Sequence, residues 1–173
     1  MMSFLKQTTL LMGLLFWALT LEGAGTTFPP SCKNNKGKEL PLNGSQVIEW
    51  KHTTANKFEG RAHLKGTVSK IYPDKNGHRH FQMIFNDVKN NEDTIEVIYN
   101  ESFGKISEIE IDMTVETCGD YITTTKQNGP YPPSPDGAIV HWVHENPSGK
   151  GHPDGYVTLN GVLYGFGGKK RVR

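Results

Sequence analysis

The chain has 173 residues and a formal net charge of +1, from 19 basic and 18 acidic side chains. Four basic residues lie in the last five positions, and without them and Lys6 the remaining 14 basic residues are outnumbered by 18 acidic ones. A chain body of this charge offers no broad basic face, which disfavours nucleic acid as a partner without excluding it. The length fits one domain with its own hydrophobic core.

The first 25 residues have the layout of a secretory signal peptide. Lys6 precedes an apolar run at residues 10–21, and small residues follow at 23–25. The run is about 12 residues long, shorter than the roughly 20 that a membrane-spanning helix needs. We therefore expect cleavage near residues 23–25, no transmembrane segment, and a secreted or periplasmic protein.

Residues 26–61 are predicted to form an N-terminal extension. Its first part is loop-like, and residues 41–51 are predicted to form a short helix. Cys32 in this extension and Cys118 further along are the two cysteines of the chain. An even number of cysteines in an oxidising compartment favours a disulfide, which would join the extension to the domain body. Two unpaired thiols are the alternative.

From residue 62 onwards, apolar and polar residues alternate, which predicts β-strands. Five strands are predicted, at 62–72, 78–86, 94–99, 113–123 and 138–144. Residues 156–159 and 162–166 flank Asn160-Gly161, a pair that suits the two-residue turn of a β-hairpin. Gly119, within the fourth strand, favours a bulge or a sharp bend there.

Together these elements predict a mainly β fold. We expect a small five-stranded barrel of the oligonucleotide/oligosaccharide-binding (OB) type over residues 62–166, with the short N-terminal helix and an added C-terminal hairpin. A β-sandwich is the alternative. The Pro-rich segment 126–137 is predicted to be an extended, polyproline-like loop. Residues 167–173 are expected to form a basic tail, and the protein is expected to be a monomer.

The segment 141–156 is the most promising for chemistry. Its imidazole and aromatic side chains are His141, Trp142, His144, His152 and Tyr156. Imidazole is the commonest metal ligand and transfers protons near neutral pH. In a regular strand, residues three apart face opposite sides, so His141 and His144 share a ligand only if the strand ends or bulges near Val143.

A second group of histidines lies on the second predicted strand. His78 and His80 are two residues apart, so both rings face the same side. If His80 meets the C-terminal histidines, a site for a divalent metal such as zinc forms. The predicted metal ligands are His80, His141, His144 and His152. The alternative interpretation is that these histidines are surface or turn residues that bind loop carbonyls.

Three short motifs carry a resemblance to a known family. They are Gly77-His78-Arg79-His80-Phe81, Gly119-Asp120-Tyr121, and His141-Trp142-Val143-His144 followed by Pro147, Gly149, His152 and Gly155-Tyr156. They resemble a family of small secreted bacterial proteins classed as a domain of unknown function. The resemblance implies export and a β-barrel-like domain, and it implies no reaction. Glu145, Asn146 and Ser148 depart from the family's pattern, which leaves the roles of these positions open.

These features favour a secreted or periplasmic OB-like binding module for a polar or polymeric ligand or an envelope component. The residues predicted to line the ligand site are His80, His141, Trp142, His144, His152 and Tyr156. One alternative is a metal-dependent hydrolase, such as a nuclease, in which Glu145 or Asp154 activates a metal-bound water. A second alternative is a structural envelope protein. No motif assigns a catalytic residue.

Overall fold

The computed structural model describes residues 28–85 and 93–167. The helix α1 spans Gly44–Thr53, and a short 3-10 helix spans Glu101–Phe103. The strands are β1 (Glu59–Lys75), β2 (His78–Phe85), β3 (Thr94–Asn100), β4 (Thr114–Thr123), β5 (Ala138–His141), β6 (Tyr156–Leu159) and β7 (Val162–Tyr164). The predicted signal peptide and residues 168–173 of the predicted tail lie outside the described residues.

The strands form one seven-stranded sheet in the order β1-β2-β3-β5-β4-β6-β7, and β4 also pairs with β1. Five strands therefore close a ring, from which the β6–β7 hairpin extends. The long β1 makes this closure possible, because residues 59–67 pair with β4 and residues 66–75 pair with β2. The prediction of a mainly β fold with a C-terminal hairpin is confirmed.

Alternation along the strands separates the core from the opposite face of the sheet. In β2, Phe81, Met83 and Phe85 are buried in the main hydrophobic cluster. Successive side chains of a strand point to opposite faces, so His80 and Gln82 lie on the other side of β2. We call that side the outer face of the ring.

Two strand boundaries differ from the prediction. β1 begins three residues early because Glu59 already pairs with Ile122 of β4. β5 ends at His141 and does not run to residue 144, because Trp142 adopts a φ of 49°, in the left-handed region, and leaves the ladder.

The N-terminal helix and the Pro-rich loop also differ in detail. The helix begins at Gly44, and the side chain of the preceding Asn43 does not cap it. The Asn43 side chain instead accepts from the backbone N–H of His63 at 2.8 Å, which joins the helix start to β1. In the Pro-rich loop, Asn128 and Tyr131 exchange backbone hydrogen bonds of 2.9 and 3.0 Å. The loop therefore contains a tight turn and is not extended throughout.

The predicted disulfide between Cys32 and Cys118 is present. Beside it, the buried Arg61 donates from Nη1 to Asp120 at 2.6 Å and from Nε to the Lys33 carbonyl at 3.0 Å. The disulfide and this guanidinium together fix the N-terminal segment to β1 and β4. In the part of the chain that is described, no helix has the length and apolarity needed to cross a bilayer.

Candidate functional site

The candidate site begins where β5 ends. His141 is the last residue of β5, and the left-handed backbone of Trp142 turns the chain immediately after it. Two glycines let this turn lie directly against its neighbours. A Cβ at Gly119 would sit 2.5 Å from the His141 carbonyl oxygen, and one at Gly155 would sit 2.2 Å from that of Trp142. β5 thus ends before Val143. This ending is what His141 and His144 need in order to share a ligand.

The turn gathers five imidazoles and two aromatic rings, which we call the histidine face. Its members are His78, His80, Phe103, His141, Trp142, His144 and His152. The ring centroid of His141 lies 5.7 Å from that of His78 and 4.6 Å from that of Trp142. His80 lies close enough to lower the pKa of His141. The second strand and the end of the fifth therefore meet at this face.

The loop after β5 continues the face. The Trp142 ring centroid lies 5.4 Å from that of His152, and the His152 centroid lies 5.9 Å from that of His144. His144 stacks on Phe103, with 3.7 Å between centroids and 10° between ring planes. This stacking buries His144 and connects the loop to the 3-10 helix.

Four of the five imidazoles are held through the same ring nitrogen, Nδ1. Its oxygen partners are the Asn76 carbonyl for His78 (3.0 Å), the Glu96 carboxylate for His80 (2.7 Å), the Glu145 carbonyl for His144 (2.7 Å) and the Pro153 carbonyl for His152 (2.9 Å). No residue in the described ranges hydrogen-bonds Nε2 of these four rings. The rings are oriented, and one nitrogen of each remains available.

A strip of polar side chains extends the face across β2 and β3. Glu96, which holds His80, is only 6% exposed. Next to it, the buried Asp136 accepts hydrogen bonds from Tyr72 Oη at 2.9 Å, Thr94 Oγ1 at 2.8 Å and Gln82 Nε2 at 2.5 Å. Burial, and then the bond to Asp136, raise the pKa of Tyr72. The outer face therefore carries two carboxylates as well as imidazoles.

Burial and mutual repulsion keep the imidazole at the centre of the face neutral. The pKa of His141 is lowered to about 4, first by burial and then by the imidazoles of His78, His144, His80 and His152 in that order of effect. Burial also lowers the pKa of His144. At neutral pH, His141 and His144 are therefore hydrogen-bond acceptors or donors without charge.

One predicted site residue lies elsewhere. Tyr156 is 2% exposed and packs with Cys32 and Cys118 in a separate small cluster. Its hydroxyl donates to Glu116 Oε1 at 2.7 Å and lies 3.0 Å from His63 Nε2. The structure thus gathers His80, His141, Trp142, His144 and His152 but does not bring Tyr156 to them.

The list of predicted site residues omitted three members of the site. His78 was paired with His80 on one face of a predicted strand but was not included among the ligand or metal residues. Glu96 also follows the strand alternation, but its contact with His80 depends on the pairing of β2 with β3. Phe103 lies in a segment with no strand pattern, and its stacking on His144 had no sequence signal.

The rings of the site are partly exposed, except that of His144, which is buried. Two surface cavities, of about 270 and about 380 Å³, lie in other places, the first beside Tyr156 and Asp154 and the second beside Trp50 and Arg61. Within residues 28–85 and 93–167, no three His, Cys, Asp or Glu side chains are placed to hold a metal ion.

Residues 51–165 match the family model described as "Protein of unknown function (DUF3465)". The chain belongs to this family. The matched range includes the whole histidine face, and the expected family resemblance is confirmed. Comparison with curated proteins and with solved structures gave no match.

Proposed function

We propose that this DUF3465 protein is a secreted or periplasmic binding module whose five-stranded ring is a barrel of the OB type. The ring closes in the order β1-β2-β3-β5-β4, and within it β3 and β5 are the parallel pair. OB barrels are five-stranded Greek-key barrels that bind oligonucleotides and oligosaccharides on the face of strands 2 and 3. The signal-like N-terminus and the disulfide support export.

The ligand in this proposal is an extended polar molecule that lies along the outer face. The observation that carries the proposal is the contact of Trp142 with oriented, partly exposed imidazoles beside β2 and β3. Aromatic rings provide stacking surfaces in such barrels, and polar side chains fix the orientation of the ligand. A partly exposed face suits a polymer, because a chain can lie across it without being enclosed.

The test is binding of a panel of ligands to the mature protein. The panel consists of neutral oligosaccharides, single-stranded oligonucleotides and zinc ions. Trp142→Ala is expected to weaken binding of the true ligand roughly tenfold or more, as loss of a stacking platform does. His52→Ala is the control, because His52 lies on α1 with its side chain 61% exposed. If Trp142→Ala and His141→Ala change no binding in the panel, the proposal fails and a structural envelope role is the better explanation.

A metal-dependent hydrolase is the second candidate function. It is favoured by the oxygen partners of Nδ1, since histidines that bind metals commonly donate their other ring nitrogen to a carbonyl or carboxylate. The face shows imidazole pairs, such as His78 and His141, and no set of three ligands within the described residues. Zinc analysis of protein purified without a histidine tag tests this candidate. Substoichiometric zinc that is unchanged by His141→Ala and His144→Ala rules it out.

A further inference from the structure

The hydrogen bonds of the histidine face fix which ring nitrogen carries the proton. The Nδ1 partners of His78, His144 and His152 are backbone carbonyls, which accept hydrogen bonds and cannot donate. The partner of His80 is the carboxylate of Glu96, which also only accepts when ionised. Each Nδ1 must therefore carry hydrogen, so the lone pair of each neutral ring lies on Nε2.

These Nε2 atoms remain accessible. Among the described residues, the buried side-chain nitrogen and oxygen atoms without a hydrogen-bond partner are Arg79 Nε and Thr124 Oγ1. The Nε2 atoms also have no partner there, yet none is among those buried atoms, so each keeps contact with solvent. The face thus presents four hydrogen-bond acceptors of one kind, one of which, on His152, belongs to a ring in contact with the indole of Trp142.

We propose that the histidine face binds a neutral polysaccharide, whose hydroxyl groups donate hydrogen bonds to these Nε2 atoms. This inference rests on the proposed function and names the ligand class for that site. Sugar rings combine hydroxyl donors at their edges with apolar C–H faces, and the apolar faces stack on an indole such as Trp142. The pattern of acceptors and the aromatic ring therefore match the two chemical properties of a sugar chain.

A phosphate polymer fits the same face poorly. Phosphate oxygens accept hydrogen bonds, and a neutral imidazole with its proton on Nδ1 has no second proton to donate from Nε2. The face also carries Glu96 and Asp136, whose carboxylates accept described hydrogen bonds from imidazole, phenol, hydroxyl and amide groups, with no lysine or arginine among them. Their negative charge repels a polyanion.

The first experiment reads the proton positions directly. Long-range ¹⁵N–¹H NMR correlation of the imidazoles at about pH 7.5 is expected to show Nδ1–H tautomers for His78, His80, His144 and His152. Nε2–H tautomers for these rings would overturn the inference, because the face would then present donors.

The second experiment measures binding of cellotetraose, chitotetraose and a thymidine octanucleotide by calorimetry at about pH 7.5. A tetrasaccharide is expected to bind, and the octanucleotide is not. His78→Phe and His152→Phe keep an aromatic ring but remove both ring nitrogens, including Nε2, and each is expected to weaken the tetrasaccharide roughly 3- to 10-fold. The matched control, His52→Phe, is expected to leave binding unchanged.

The outcomes separate this inference from the proposed function. Binding of the octanucleotide or of zinc, but not of either tetrasaccharide, with sensitivity to His152→Phe, would overturn the ligand class and leave the binding module standing. If no probe binds in a way that depends on His152 or Trp142, both proposals fail.

Discussion

Two clusters of this protein contain histidines, and their hydrogen bonding differs. His63, in the cluster with Tyr156, has partners at both nitrogens: the Leu40 carbonyl at 2.8 Å from Nδ1, and Glu116 Oε1 at 3.2 Å from Nε2. Among the described residues, His80 of the histidine face has a partner at Nδ1 alone. Their side chains are almost equally exposed, 15% and 16%.

Exposure alone would therefore not distinguish a structural histidine from a binding one. The difference lies in which ring nitrogens have partners, because an unfilled hydrogen-bonding position on an oriented ring is what a ligand can use. The His63 cluster is complete within the chain and contributes to stability. The histidine face has Nε2 atoms without a partner among the described residues, and these atoms are available to a ligand. Variants of the two clusters should therefore separate stability from binding.

The largest expected effect is on stability, through the disulfide beside the His63 cluster. Cys32 and Cys118 are separated by 86 residues, and closing a loop of this length stabilises by about 4 to 5 kcal/mol in the chain-entropy model. Replacing both with Ser is expected to lower the free energy of unfolding by roughly that amount in urea denaturation. At low temperature, where the variant remains folded, ligand binding should persist. A variant as stable as the wild type would contradict the role given to this cluster.

The second effect is a loss of stability in acid that belongs to the histidine face. The pKa of His141 falls from an ordinary 6.5 to about 4 on folding, so the unfolded chain binds more protons between these values. Stability therefore falls as the pH decreases from about 6.5 to about 4, by about 3 kcal/mol at most for this group.

Urea denaturation at several pH values measures this effect, with His141→Gln as the comparison. The variant should lose the part of the slope of stability against pH that His141 contributes, since glutamine does not titrate, while His144, whose pKa is also lowered, keeps its own contribution. His52→Gln serves as the control on the exposed helix α1. An unchanged slope in His141→Gln would assign the acid sensitivity to other groups.

A third effect concerns the hydrogen bonds that the Tyr156 hydroxyl makes with Glu116 and His63. Tyr156→Phe removes the hydroxyl that donates to Glu116 Oε1 and approaches His63 Nε2. The change is expected to reduce the free energy of unfolding by about 1 to 3 kcal/mol, because buried polar groups lose their partner. Binding at the histidine face should not change. Weakened binding in a stably folded Tyr156→Phe protein would show that the two clusters are not independent.

The smallest expected effect on stability is at the histidine face. His152→Phe removes Nε2, which has no partner in the described chain, and Nδ1, whose partner is the carbonyl of the neighbouring Pro153. With a single local hydrogen bond lost, the free energy of unfolding should change by about 1 kcal/mol or less. Thermal unfolding checks this expectation. A loss of several kcal/mol would indicate that His152 is a structural residue, like His63.

Much of the architecture is readable from local patterns. The alternation in β2 and β3 and the Asn160-Gly161 turn predict strands and a hairpin, because both signals come from adjacent residues. The turn residues adopt φ values of 48° and 80°, which asparagine and glycine tolerate best. The early start of β1 was not predictable, since it depends on a partner strand some 60 residues away.

Part of the candidate site was also predictable, because some of its residues are close together in the sequence. His141, His144 and His152 are close in sequence, so a bend between them was enough to gather them. Tyr156 is equally close in sequence, yet β6 is buried at all four positions, so alternation could not tell which way its side chain faces. Its packing against the disulfide depends on the N-terminal segment, which is distant in sequence.

The left-handed backbone of Trp142 determines whether His141 and His144 lie on the same side of the sheet. In an extended conformation at this position β5 would continue, and strand alternation would place His141 and His144 on opposite sides of the sheet. The left-handed conformation costs a residue with a side chain about 1 to 2 kcal/mol. The existence of a single histidine face therefore depends on one strained dihedral angle, and the contacts of the indole with His141 and His152 offset that strain within the face itself.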